Sequence, residues 1–433
     1  MKKHLLLTVF IVGLTCVHAA NTPDGVSADS VTIPERKQTL REWFKHVPQW
    51  FSSTDSNVAK GVVKKWFEAI SIRGYAQFRY NRLGETNPEL KCEQCDRSWG
   101  DGGGFFFRRI RIIFFGNLTK RVYFYIQPDF ASSVSATSLH FGQIRDAYID
   151  VGVDKRSEFR FRLGQSKVPF GFENMQSSQN RLPLDRADAL NSAVSNERDI
   201  GVFFYWAPEK IRKRFSMLVN DGYKGSGDYG VFGIGAYNGQ TANKPELNKN
   251  KHLAARLAYP FQIKSQIIEP AVQAYTGKYT MPADLISTGV KTTTDKTYLD
   301  QRIAFSLVMY PKPFGIMAEY NIGRGPEYNK HTDSIETRKL QGGYVTVNCM
   351  IRAKKHVIFP FVRAQMYDGG KKHEKDARSY SVRELEVGLE WQPVRFFEFV
   401  AMYTISSRRF EDSSKKDNLQ KGQLLRLQAQ VNF

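Results

Sequence analysis

The sequence predicts an all-β chain: a transmembrane antiparallel β-barrel of about 16 strands behind a short N-terminal helical segment. Three observations predict it. The chain ends in a strand of strict alternation that closes on an aromatic residue, Phe433. Its connecting segments alternate between short and long. It opens with a secretory leader, yet no later stretch reaches the roughly 18 consecutive apolar residues of a membrane-spanning helix. A chain sent into the cell envelope without such a helix either stays soluble or crosses as a closed barrel.

Lys2 and Lys3 form a positive start, Leu5 to Val17 a short apolar stretch, and Val17 with Ala19 a small-residue cleavage site. Cys16 follows Gly13-Leu14-Thr15, a poor context for lipid attachment, so residues 1–19 are a signal peptide. Residues 20–71 form a partly helical periplasmic segment, and residues 72–433 the barrel. The segment carries Trp43-Phe44, Trp50-Phe51 and Trp66-Phe67, two of them at helical spacing, with Pro48 interrupting any single long helix. It reads as an amphipathic lead packed at the periplasmic rim, or as an oligomerisation or cell-wall-facing segment.

Within the barrel the alternation is explicit. Leu425, Leu427, Ala429, Val431 and Phe433 share one parity; Arg426, Gln428, Gln430 and Asn432 share the other. Phe159, Phe161 and Leu163 alternate with Arg160 and Arg162. Ala147, Ile149 and Val151 alternate with Asp146, Tyr148 and Asp150. Leu385, Val387, Leu389 and Trp391 alternate with Glu384, Glu386 and Glu390, and Phe397, Phe399, Ala401 and Tyr403 lie opposite Glu398 and Thr404. A charge at every second position suits a strand with one face in lipid and the other in a wet lumen. On this register Leu427→Arg would put a charge into hydrocarbon, and Gln428→Arg would be mild.

Short links fall at 116–121, 152–157, 311–313, 352–355 and 392–394. Long polar links fall at 83–103, 167–199, 278–299, 324–339, 368–380 and 407–421. Short turns on one rim and long loops on the other are the outer-membrane pattern. About seventeen candidate strands result; reading Arg214–Asn220 and Tyr229–Asn238 as one strand with an insertion leaves 16, an even number.

Composition excludes several classes. Mean hydropathy is −0.44, too low for a helical membrane protein, whereas 41% hydrophobic and 13% aromatic residues are too many for a disordered chain. The formal net charge is +20, and +18 once Lys2 and Lys3 leave with the leader. Secretion argues against nucleic acid, leaving anionic solutes or the anionic membrane surface as partners. Three mature cysteines make no disulfide framework. Cys92-Glu93-Gln94-Cys95 reads as a local disulfide in the first long loop rather than a redox or zinc motif, and Cys349 as a free strand thiol. No metal-ligand or nucleophile motif stands out among eight scattered histidines, so no enzyme, metal or cofactor is expected.

Residues 73–201 carry an ordered series of motifs: Arg73-Gly74-Tyr75-Ala76-Gln77-Phe78, Phe107-Arg108-Arg109-Ile110-Arg111, Ile126-Gln127-Pro128-Asp129-Phe130, Asp146-Ala147-Tyr148, Leu163-Gly164-Gln165-Ser166-Lys167-Val168-Pro169-Phe170-Gly171, and Arg198-Asp199-Ile200-Gly201. The series resembles the porin O/P family of phosphate-selective outer-membrane porins, and the likeness returns in the last strand. The resemblance implies a 16-stranded trimer with one loop folded into the lumen, for which residues 167–199 are the candidate. It also implies that Arg108 and Arg109 help line the constriction. Three positions depart from the family pattern: Tyr75 stands where phosphate-specific members have an arginine, Asn174 where they have a lysine, and Arg145 where they have an aspartate.

The expected function is passive diffusion of small anions, phosphate or pyrophosphate among the candidates, past Arg108, Arg109, Arg111, Arg160 and Arg162. Guanidinium groups stay charged and take oxyanions bidentately. The bland alternative is that these arginines only solvate the lumen or pair with Asp129 and Glu173. The competing functions are a general porin, a surface or adhesin barrel, and an outer-membrane lipid hydrolase. The expected partners are outer-membrane lipid and lipopolysaccharide, small anions and two further copies of the chain.

Overall fold

The computed structural model describes residues 69–83, 104–131 and 142–433. The expected signal peptide at residues 1–19, the Trp-Phe pairs of the N-terminal segment, and Cys92 with Cys95 lie outside the described residues.

Sixteen antiparallel strands follow one another round a closed sheet: β1 (Ser71–Leu83), β2 (Gly104–Asn117), β3 (Val122–Asp129), β4 (Gln143–Gly152), β5 (Phe159–Lys167), β6 (Arg198–Trp206), β7 (Phe232–Tyr237), β8 (His252–Ala258, continued by Phe261–Ile263), β9 (Gln266–Thr280), β10 (Thr297–Met309), β11 (Phe314–Asn329), β12 (Ser334–Cys349, continued by Ile351–Ala353), β13 (His356–Gly370), β14 (Ser379–Val394), β15 (Phe397–Asp412) and β16 (Lys415–Asn432). β8 and β12 each break for two residues or fewer, and both halves pair with the same neighbour.

Strand β16 returns to β1 with Tyr75 opposite Asn432 and Phe78 opposite Ala429, which closes the barrel. The terminal residue completes the seam: Gly74 N–H donates to Phe433 O at 2.7 Å and Phe433 N–H to Gly74 O at 2.9 Å. A Cβ on Gly74 would collide with the Phe433 ring and with Arg111 O, so only glycine lets the last aromatic lie against the first strand.

The alternation read from the sequence holds strand by strand. Phe159, Phe161 and Leu163 are 41–43% exposed on the outside, whereas Arg160 and Arg162 face inward at 5–6%. On β16 the inward row is Arg426, Gln428 and Gln430. Among the described residues no helix is long and apolar enough to cross a membrane; the strands do so.

Gln428 changes one expectation. Its Oε1 accepts from Arg79 Nε at 3.0 Å and Nη2 at 2.7 Å, so Gln428→Arg would press two buried guanidiniums together and is not mild. Leu427→Arg, one residue away, should cost about 2–4 kcal/mol by placing charge in lipid. Both variants should lose their compact unboiled gel form at lower temperature than the parent. A Leu427→Arg barrel as heat-resistant as the parent would show that the register is wrong.

Three sequence expectations are corrected. Residues 214–220 are not strand: they end α3 (Glu209–Asn220), which starts after Pro208 and buries Ile211, Phe215 and Leu218. The alternation of Phe215, Met217 and Val219 masked a 3.6-residue period that shows only when the window reaches back to Pro208. The links at 324–339 and 407–421 are not long loops: β11–β12 and β15–β16 run on as paired hairpins to tight turns at 330–333 and 413–414. Beyond the membrane both strand faces meet water, so hydropathy stops alternating while backbone pairing continues.

Candidate functional site

Segment 168–197, between β5 and β6, folds into the barrel, as expected of 167–199. Its apolar residues Val168, Phe170, Phe172, Ala189 and Leu190 pack with Tyr275, Val308, Tyr344 and Tyr367 of the far wall. Two short helices, α1 (Phe172–Met175) and α2 (Asp188–Asn191), carry its anchors. Asp188 pairs with Arg408 at 2.7 Å and with Lys371. Glu173 pairs with Arg363 at 2.7 Å. Glu319 accepts from the backbone N–H groups of Phe172 (2.6 Å) and Glu173 (3.1 Å). Asp185 pairs with Arg79 at 3.3 Å and with Arg426. The loop is thus pinned to the wall from β9 round to β16 and on to β1, and it also faces β2–β4.

Two irregularities shape that opposing wall. Gln77 lies opposite Arg109 but Phe78 opposite Phe107, so Arg108 is an extra residue, a β-bulge. In a regular strand Arg108 and Arg109 would point to opposite faces. The bulge puts both between the outward Phe107 and Ile110, within electrostatic reach of Asp185 in the loop. A second bulge lies in β4, where Gln127 faces Asp146 and Pro128 faces Ile144. It turns Arg145 inward, where Nη1 donates to Asn196 Oδ1 at 2.9 Å and Nη2 lies 3.8 Å from Glu197.

The remaining side chains of the wall are braced. Arg109 Nη1 donates to Gln77 Oε1 at 2.6 Å, and Gln77 Nε2 donates to Ser178 O at 3.2 Å. Arg111 bonds Asp129 at 2.7 Å, the Tyr75 hydroxyl at 2.7 Å and Ser178 Oγ at 3.0 Å. The loop adds Arg181 and Arg186, the second paired with Glu197. Arg181 is 4% exposed, yet its Nε and Nη1 have no hydrogen-bond partner among the described residues. Among the described residues one interacting cluster therefore holds eight arginines (79, 108, 109, 111, 145, 181, 186 and 198) and four carboxylates (Asp129, Asp146, Asp185 and Glu197), with Glu173, already paired with Arg363, within reach of Arg181.

Arg160 and Arg162 lie toward the short-turn rim, in a cavity of about 590 Å³ whose lining also includes Asp146 and Arg198 of the cluster. Arg162 bonds Asp150 through Nε (2.7 Å) and Nη2 (2.8 Å) and sits 3.9 Å above the Tyr148 ring. Arg160 pairs with Asp228. Of the two acids expected to pair with the arginines of β2, Asp129 does and Glu173 instead holds Arg363. Tyr75 braces Arg111 through its hydroxyl, and Asn174 Nδ2 donates to Leu190 O at 2.9 Å within the loop, so neither position supplies a cation. Cys349 is a free thiol.

Sequence reasoning missed Arg181 and Arg186 as site residues and had Arg145 only as a departure from the family. The compact run Arg181-Leu182-Pro183-Leu184-Asp185-Arg186-Ala187-Asp188 was the available signal: four charges inside a loop otherwise apolar enough to bury. Below the loop, the stretch after α3 crosses the lumen, where Lys224 pairs with Glu390 on β14 and its backbone O accepts from Gln176 Nε2 at 2.7 Å.

A closed barrel with an apolar exterior, a charged lumen and a long loop folded inside defines an outer-membrane porin, a channel rather than an enzyme. The chain belongs to the family of phosphate-selective porins O and P, whose model matches residues 91–433. Among solved structures it is similar to the outer membrane channel DcaP of Acinetobacter baumannii, with 14% identity over 84% of this chain and 97% of that one and a TM-score of 0.51. It is also similar to OmpF of Salmonella typhi in complex with daunomycin, with 12% identity over 84% and 97% of the two chains and a TM-score of 0.50. At these identities the likeness is one of fold. No curated protein matches the chain in sequence.

Proposed function

We propose that this porin passes small anions by diffusion and that the arginine cluster between β1–β4 and the in-folded loop is its selective constriction. The excess of eight arginines over four carboxylates carries the reading. Fixed positive charge between low-dielectric walls raises the local anion concentration and offsets partial dehydration. Arg160 and Arg162, each matched by a carboxylate, steer less. With Tyr75 and Asn174 contributing no cation, the preference is for anions in general rather than for phosphate.

Bilayer reversal potentials across a KCl gradient test this. Chloride should permeate in preference to potassium, less so near 1 M salt, where screening shortens to about 3 Å. Phosphate should block chloride current only weakly. A cation-selective channel would sink the anion reading, and submillimolar phosphate block would sink its general character.

The assembly is proposed to be a homotrimer. Strands β3 and β5–β7 are six to nine residues long, at or below the roughly 9–11 needed to span a bilayer. Their outward Phe159, Phe161, Val202 and Ile234 are better covered by a neighbouring subunit than by lipid. Cross-linking of the unboiled protein should give trimers.

A further inference from the structure

The outer surface of β10–β12 holds a feature that conduction does not use. Toward lipid these strands present Phe305, Leu307, Ile316, Tyr320, Ile322, Val345 and Val347. On the long-loop side the next outward residues are Gln301 on β10 and Arg324 on β11, while on β12 Gly343 and Gln341 come between Val345 and Lys339. Arg324 stands directly opposite Lys339 across β11–β12, and opposite Gln301 on its other side. Two cations facing each other across an antiparallel pair repel. Neither has an ion-pair partner among the described residues, whereas Arg383, also facing outward, pairs with Asp368 at 2.7 Å.

Along this row runs a hollow of about 1100 Å³ lined in part by Ile303, Ile322, Arg324, Lys339 and Gln341; Arg338 and the carboxylates Glu327 and Asp368 also line it, Glu327 lying 3.9 Å from Arg338 and Asp368 pairing with Arg383. Tyr275, Leu340 and Tyr380 behind it are only 3–4% exposed, so it opens to the membrane side and not to the lumen. The row lies on the side of the long loops, which is the outer leaflet.

We propose that Arg324 and Lys339 bind the phosphate of an outer-leaflet glycolipid, lipopolysaccharide, with Gln301 and Gln341 as further donors and the acyl chains laid over Ile303 and Ile322. A phosphate between the two cations turns their repulsion into two charge-assisted contacts. The apolar floor directly below requires that the phosphate belong to an amphiphile. An inorganic anion would use the polar row and leave the floor bare.

The test compares the detergent-purified full-length protein with the Arg324→Gln/Lys339→Gln variant by native mass spectrometry with added lipopolysaccharide. The parent should retain the glycolipid, the double variant should bind it at least about tenfold more weakly, and Arg324→Lys should stay close to the parent. Dephosphorylated glycolipid should bind the parent as weakly as lipopolysaccharide binds the double variant. The unboiled gel shift identifies folded variants. Equal retention by a folded double variant would overturn the site, as would tight binding of the dephosphorylated glycolipid. Displacement by millimolar inorganic phosphate would assign the cations to a soluble anion and overturn the lipid reading.

Discussion

Replacing Arg108 and Arg109 together by alanine is expected to reduce the chloride-over-potassium permeability ratio several-fold while leaving the barrel folded. The two residues supply half of the excess of arginine over carboxylate in the constriction, and the bulge in β2 directs both into the same narrow space. Two unit charges 4 Å apart interact by about 4 kcal/mol at an effective dielectric of about 20, so a permeating anion senses each nearby guanidinium. Assembly should survive because the β1–β2 ladder is formed by backbone groups. Replacing Arg160 and Arg162 should alter selectivity less, since they are paired with Asp228 (which also holds Arg212) and Asp150 and lie nearer the short-turn rim. Reversal potentials at 0.1 M and 1 M KCl decide: an unchanged ratio at low salt would remove Arg108 and Arg109 from the selective step.

Asp188→Ala is expected to release the in-folded loop and raise single-channel conductance. Asp188 is wholly buried between Arg408 and Lys371, so its loss removes the carboxylate they share and leaves them with Glu384 (2.7 Å) and Glu374 (3.9 Å), a net buried positive charge; breaking a buried pair costs up to about 3–5 kcal/mol. That strain falls on α2 and its neighbours, because the wall behind is held by sixteen strand ladders. Burial alone would raise the carboxyls of Asp188 and Asp185, but Arg408 and Lys371 around the first, and Arg426 and Arg79 around the second, outweigh it and hold both below the usual range. Depressed carboxyls contribute stability above the unfolded value, about pH 4, and lose it only as pH falls through the lower folded value. These two sets of ion pairs should therefore hold unchanged from pH 7 to about 4.5. An Asp188→Ala channel no wider than the parent would show that they do not hold the loop.

How much of this was legible in the chain differs from element to element. The alternation of Phe159–Leu163 with Arg160 and Arg162, and of Leu425–Phe433 with its polar partners, settled barrel, register and inward charge, because lipid on one face and water on the other impose a two-residue period that sequence displays directly. The family resemblance implied a loop folded into the lumen, and the length of segment 167–199 made it the candidate. Tertiary structure alone decided where the arginines meet. A bulge is a mismatch between two paired strands, so no local pattern within Phe107–Arg111 or Ile144–Asp146 announces that Arg108 and Arg145 turn inward; for Arg108 only the family resemblance pointed there. The pairs that neutralise or anchor are equally remote: Asp185 meets Arg426 241 positions away and Asp188 meets Arg408 across 220. Face assignment is a local property of each strand, whereas the balance of charge at the constriction depends on which strands the closed barrel places opposite the loop.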